Sequence, residues 1–538
     1  MLLTLAELAD SVLHSAVIVG LGLALGGVVW ERGVLGRPGP PVPVAARGRC
    51  LSLIAIGAGL LGAGQMAGLG VTAFVLRGSL DDVTVGDLVS ATSVWVAGLR
   101  AVLSLALVIA VVRARAEGTR PLGAIALTLA ALVAVSGAWV THAVGRLESR
   151  AALMTLTIVH QAAAATWLGG LVQLGALWRL TGRCPDVDVL WPIAVRRFSQ
   201  LATVAVLLLI GAALPLTWSY TRTFDGLVGT GYGSLLLLKA FLLLVTLALA
   251  ALNFATARGV SRANCATLRH RLPRLVESEV ALLLVLVFAA TGLSALPPPT
   301  DQPPHARATA VEVAEVFRPK LPSLATPSLA AMRQSDTAPP GTPRSREAYL
   351  WSNFSHNVAG LMLLAMALVS FAGPVFGANV ARQWPLGLLA LAAFIYLRAC
   401  ANEGTWPFGS TPIASVDSEG LQHRLAALLV LAMGVLEWRA RRSDGGRLTY
   451  VFPMLCVVGA ALLLTHSHRA FQLKEGYLVQ VTHSTMGALA GLVAVGRWLE
   501  LRLPPGRGAP AGVLASAGML GIALILVFYR EANVIIAP

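Results

Sequence analysis

The feature that most constrains this chain is a recurring apolar stretch of about 20 residues, long enough as a helix to cross a hydrocarbon layer of roughly 30 Å. Such stretches fall near 11–30, 51–76, 92–112, 123–144, 152–177, 199–218, 231–255 and 274–296. After a polar break they resume near 352–376, 384–399, 419–438, 448–467, 477–497 and 511–529. Lipid offers no hydrogen bonds to an exposed backbone, so runs of this kind are helices. Composition agrees, since 56% of the 538 residues are apolar and 12% charged, against about 25% charged in a soluble domain. The expected fold class is an all-α polytopic membrane protein with about 14 transmembrane helices in two bundles, eight and then six. Residues 1–296 form the eight-helix membrane domain, 297–350 a Pro-rich connector, and 351–538 the six-helix membrane domain.

The net charge of +15 would suggest nucleic acid in a soluble protein, but here the charges sit in short loops between spans, and no nucleic-acid partner is indicated. Alternate loops are basic: Arg32, Arg37, Arg47 and Arg49, then Arg113, Arg115 and Arg120, then Arg179, Arg183, Arg196 and Arg197, and so on to Arg497, Arg502 and Arg507. The opposite set holds only Arg77, Arg146, Arg150, Arg222, Arg398, Arg469 and Lys474. The positive-inside rule then places both termini and the connector outside. Glu7 and Asp10 precede the first apolar run and Arg32 and Arg37 follow it, which argues against a cleaved signal peptide. Cys50, Cys184, Cys265, Cys400 and Cys456 are scattered, so neither a disulfide framework nor a thiolate metal site is expected. The connector (LPPPTDQPP, TAPPGTP) reads as a tether, and its one patterned piece, Val311–Phe317, alternates like a short strand.

Ten histidines occur, and His270 and His305 lie in polar loops where a solvated side chain is natural. The other eight are in or beside spans. His14, His356 and His423 begin spans that start outside, His142, His466 and His468 end spans that finish outside, and His160 and His483 lie about two turns into spans entering from outside. All eight therefore occupy the outer third. Ionisable groups within spans are costly and face a bundle interior or cavity, and imidazole is the side chain that binds copper, zinc or haem iron at neutral pH. The arrangement repeats: Thr141-His142 is followed by His160 in the next span, and Thr465-His466-Ser467-His468 by His483. Each half also opens with a span bearing His near its outer end, His14 and His356, so two related bundles each bring at least three His together.

Other side chains extend the pattern. His466 and His468 would point about 200° apart on a helix, so one interior point can take both only where the helix ends. Met486 follows His483 by three residues on the same helix face and offers a thioether for Cu(I). Arg100, Lys239 and Arg424 belong to the outer half, where each pairs with an acidic partner or a haem propionate, or snorkels to the interface. Glu277, Glu279 and Glu437 are at inner ends, where ion pairs with neighbouring Arg are expected.

Two segments, Ser136-Gly-Ala-Trp-Val-Thr-His142 and Val159-His160 continuing to Trp167-Leu-Gly-Gly170, resemble the paired signature of the CopD copper resistance proteins of bacterial inner membranes. Leu238-Lys239, Asn253, and Glu277 or Glu279 are similar as well, so the resemblance covers roughly residues 5–300. The first signature in that family usually reads Ser-Gly-His, whereas Ala138 follows Gly137 here and the His comes at 142. The second half resembles the extension of longer members through Glu403-Gly-Thr-Trp406-Pro407, Leu421-Gln-His423-Arg424, Glu437-Trp438, His466-Ser-His468, Lys474-Glu475 and His483.

The resemblance implies a multi-pass inner-membrane protein that handles periplasmic copper and works beside a small periplasmic copper-binding protein. Its cargo would be Cu(I) or Cu(II), held by His14, His142, His160, His356, His423, His466, His468, His483 and Met486. No ATP-binding loop or phosphorylatable Asp motif is visible, so any import or hand-over to a partner would be passive, exchange-driven or proton-coupled; no enzymatic turnover is expected, save redox activity if haem is bound. The alternative is a transmembrane electron carrier binding haem b, with the same His as axial ligands. A plainer reading is a structural subunit whose His are only hydrogen-bonded.

Overall fold

The computed structural model describes residues 2–79, 84–116, 123–258, 271–335, 345–371, 382–416, 418–442, 446–465, 474–504 and 508–531. Among the described residues there is no strand, and twelve helices are long and apolar enough to cross a membrane. Two shorter apolar helices, Ala124–Val140 and Leu386–Asn402, coincide with the other two expected spans. The first of these is short because its α-helical part stops at Ser136 and tightens into a 3₁₀ turn over Gly137–Val140. Contacts divide the chain into two compact units, one of residues 2–222 and 243–287, the other of residues 223–242 and 288 onward.

In the first unit α1 (Ala9–Leu35) packs on α2 (Val44–Ser79), α2 on α3 (Thr92–Ala116), α3 on α4 (Ala124–Ser136), and α5 (Arg150–Trp178) on both α1 and α6 (Pro185–Thr221). Leu243 and Leu247 of α7 (Gly231–Arg258) and Leu272, Val276 and Leu283 of α8 (Leu272–Ser294) complete the same core with Trp30, Trp167 and Phe198. Helices in lipid gain nothing from hiding apolar surface from one another, so they associate through close backbone approach at small residues. A Cβ on Gly169 would lie 2.9 Å from the Cα of Gly26 and overlap the Gly22 backbone, so the Trp167-Leu-Gly-Gly170 segment is first of all the place where α5 meets α1. α1 carries two π-helical turns, Gly22–Gly26 and Glu31–Leu35.

The second unit contains a ring of six helices: α10 (Arg346–Phe371), α11 (Leu386–Asn402), α12 (Ser418–Arg442), α13 (Val451–Leu464), α14 (Lys474–Arg502) and α15 (Ala509–Val527). Each packs on its chain neighbour and α15 packs back on α10. Gly360 permits that closure, since a Cβ there would lie 2.8 Å from the Leu526 Cβ. Glu437 takes Arg441 at 2.8 Å and Arg497 at 2.9 Å, the ion pairing expected of it, whereas the partner of Glu279 in the first unit is the Asn253 amide.

The connector differs from the sequence expectation. Val311–Phe317 is not extended but part of α9 (Ala310–Phe317), because Thr309 and Glu312 form a reciprocal capping box at its start. Val313 and Val316 then share a face and pack with Ala308 against Tyr477, Leu478 and Val481 of α14. Nor is this stretch a slack tether: the Ala308 N–H donates to Gly229 O at 2.9 Å, and the Tyr477 hydroxyl donates to Val228 O. These bonds tie residues 223–242 to the same unit.

Candidate functional site

The ring brings its described histidines to one end. His356 lies near the start of α10, His483 near the start of α14 and His423 near the start of α12, while Tyr529 and Glu531 follow the end of α15. The His356 and His483 rings meet edge to face with centroids 5.6 Å apart. Tyr529 stacks on His356 at 4.1 Å, and His483 lies edge-on to it at 6.0 Å. His423 and Glu419 are within electrostatic range of both rings. Only His483, Tyr529 and Glu531 of this group are fully enclosed, at 7%, 1% and 5% exposure.

One geometry recurs at all three histidines. The Nδ1 of His356 is 2.8 Å from Ser352 O, that of His423 is 2.8 Å from Glu419 O, and that of His483 is 3.1 Å from Val479 O, each a carbonyl four residues earlier. A carbonyl oxygen only accepts, so in the neutral ring Nδ1 holds the proton and Nε2 carries the lone pair. A ring nitrogen held by a backbone carbonyl in this way is the usual outer support of a metal-ligating His.

Polar neighbours fix the frame. Ser352 donates to the Glu531 carboxylate, which also accepts from the Tyr529 hydroxyl at 3.3 Å, and the Glu531 N–H donates to Asn353 Oδ1 at 2.8 Å. Arg424, beside His423, donates to Thr405 Oγ1 at 2.8 Å, so the Glu403–Pro407 and Leu421–Arg424 segments come together as one structural unit. Arg398 lies over the Trp351 ring at 3.2 Å and donates to Ser355 Oγ at 2.8 Å. Met486 is buried on α14.

The first-unit histidines have neighbours of different kinds. His14 lies in range of Asp10 and Arg100, His142 faces the Tyr220 ring with centroids 6.4 Å apart, and the Nδ1 of His160 is 3.3 Å from Leu209 O on α6. Among the described residues no group of three or more His, Cys, Asp or Glu side chains is placed to hold a metal ion. His466 and His468 lie outside the described residues, as do His270 and Cys265. His305 is exposed in a 3₁₀ turn, as its polar surroundings suggested.

Sequence reasoning missed Tyr529, Glu531 and Ser352. Their signal was present but weak: Tyr529-Arg530-Glu531 directly follows the last apolar run, the position where an aromatic and an acid re-enter the polar region.

Comparison with known proteins gives one family match and one relative. Residues 192–293 match the family described as Copper resistance protein D. Over this region the chain is similar to the CopD family. The CopD match takes in Lys239, Asn253, Glu277 and Glu279, part of the resemblance read from the sequence. The chain is also 28% identical over 158 residues to the copper transport protein CutJ of Bacillus subtilis. That alignment covers 29% of this chain and 28% of CutJ. No solved structure matches the chain.

Proposed function

We propose that this membrane protein handles copper, binding it through the His356 and His483 pair, with His423 nearby, at the periplasmic side of the bacterial inner membrane and importing it or passing it to a partner. The observation that carries the reading is the His356–His483 contact, in which both rings are held by backbone carbonyls at Nδ1 and so present Nε2 lone pairs from two helices of the ring, α10 and α14. Imidazole suits copper, and a Cu(I) ion is content with few ligands. His423, held in the same way at Nδ1, lies within electrostatic range of both rings, and the Glu531 carboxylate accepts from Ser352 beside them. The copper-transport name of the CutJ relative and the CopD match at residues 192–293 support copper over other metals. Both termini and the connector would then be periplasmic, and a periplasmic copper-binding protein would be the exchange partner.

The test is metal analysis and competitive chelation on the purified chain in nanodiscs. His356→Ala and His483→Ala should each weaken copper binding by about 100-fold or more, beyond the roughly 10–100-fold typical of losing an outer-shell group. His160→Ala should leave this site intact. Wild-type affinity in the His356/His483 double variant would overturn the assignment, and a strong Soret band in the visible spectrum would replace copper with haem.

A further inference from the structure

The first unit holds a buried cation that the copper reading does not use. Arg100 of α3 is 4% exposed, so its guanidinium does not reach a surface, and its Nε is buried with no hydrogen-bond partner. One helical turn onward on the same face, the Ser104 hydroxyl is also buried, at 2% exposure, and also has none. Gly137, where α4 tightens, makes room for the head group: a Cβ there would lie 2.8 Å from Arg100 Nη1 and 2.7 Å from Gln161 Oε1.

No carboxylate among the described residues contacts it. The His14 ring lies in electrostatic range of both Asp10 and Arg100, and no described carboxylate forms an ion pair with Arg100. Burying an uncompensated guanidinium is strongly unfavourable, so such groups persist where something anionic completes them. Arg100 presents only N–H donors on this face, and the Ser104 hydroxyl can turn its O–H the same way, a set that receives an anion. One guanidinium without a described ion-pair partner matches one negative charge, and the crowding by Gly137 and Gln161 favours a small ion.

We propose that Arg100 and Ser104 form a site in the first unit for one small monovalent anion, a halide or a short carboxylate. The site is separate from the histidine pair and does not depend on copper.

Equilibrium dialysis of the copper-free chain in nanodiscs with radiolabelled chloride and with radiolabelled formate tests this. Saturable binding of either ion at one per chain is expected, resisting sulfate at equal ionic strength. Binding of formate alone identifies a carboxylate, and mutual competition identifies a general small-anion site. Arg100→Gln should abolish binding and Arg100→Lys should weaken it about tenfold or more, because an ammonium lacks the planar fork. Ser104→Ala should weaken it less. Absence of saturable binding to the wild-type chain, or unchanged affinity in Arg100→Gln, would overturn the proposal. Should Arg100→Gln fail to fold, unchanged affinity in both Arg100→Lys and Ser104→Ala would overturn it equally.

Discussion

Asn357 shows how much one side chain holds at the histidine end of the ring. Fully buried, it donates through Nδ2 to Leu526 O and Tyr529 O, both at 3.0 Å, and accepts through Oδ1 from Ser323 N at 2.7 Å and from Arg530. It therefore satisfies carbonyls left over at the end of α15, pins the connector, and fixes the backbone that carries Tyr529. Asn357→Asp removes both donors and sets a carboxylate against two carbonyls. The expected cost is about 1–3 kcal/mol, read as a lower unfolding midpoint, with weaker copper binding although every histidine is intact. A variant matching wild type in both measurements would remove Asn357 from this role. His356 was legible in the sequence because an imidazole within a span is rare, and Asn357 beside it was not, because a single amide says nothing about which four groups it will meet. The charged residues divide in the same way: Glu437 met the arginines its inner position implied, whereas the pairing of Glu279 with Asn253 depended on how α7 and α8 pack.

At the scale of elements, α9 is the clearest case of a pattern misread and a better signal passed over. Alternation in Val311-Glu-Val-Ala-Glu-Val suggests period two, but a run so short fits a helix face as well, and Thr309-x-x-Glu312 is a helix start written in the sequence. Burial alone would raise the Glu312 carboxyl, but the Lys474 amine at 2.5 Å and the Thr309 N–H at 2.8 Å outweigh it and hold the carboxyl below the usual carboxylate range. A carboxyl lowered by folding contributes stability that is present at neutral pH and lost as pH falls through its folded value. Amide-exchange protection of residues 309–317 should therefore be high at pH 7 and fall on acidification below about pH 4. Glu312→Gln should give the low protection already at pH 7. Protection that rose with acid would reject the Lys474–Glu312 anchor. The spans were legible because membrane thickness sets their length; the early end of α4 at Ser136 was not, because hydropathy continues past it.

For the whole molecule, the alternation of basic and sparse loops makes a direct prediction about sidedness. In a Cys-free background, Asp301→Cys in the connector should react with a membrane-impermeant maleimide in intact spheroplasts, and Asp186→Cys at the start of α6 should react only after permeabilisation. The reverse pattern would turn the chain over and place the histidine end at the cytoplasm. The grouping of residues 223–242 with the second unit was beyond sequence reading, since it rests on single bonds such as Ala308 to Gly229 and not on any shift in composition. The six-helix ring, finally, has a consequence for how the protein is made. Five of its six junctions join neighbours in the chain and can form as synthesis proceeds, but the junction of α10 with α15 waits for the last helix. Tyr529, which covers one face of His356, is delivered by that closing step, so the two imidazoles acquire their finished surroundings only once translation has passed the end of the ring.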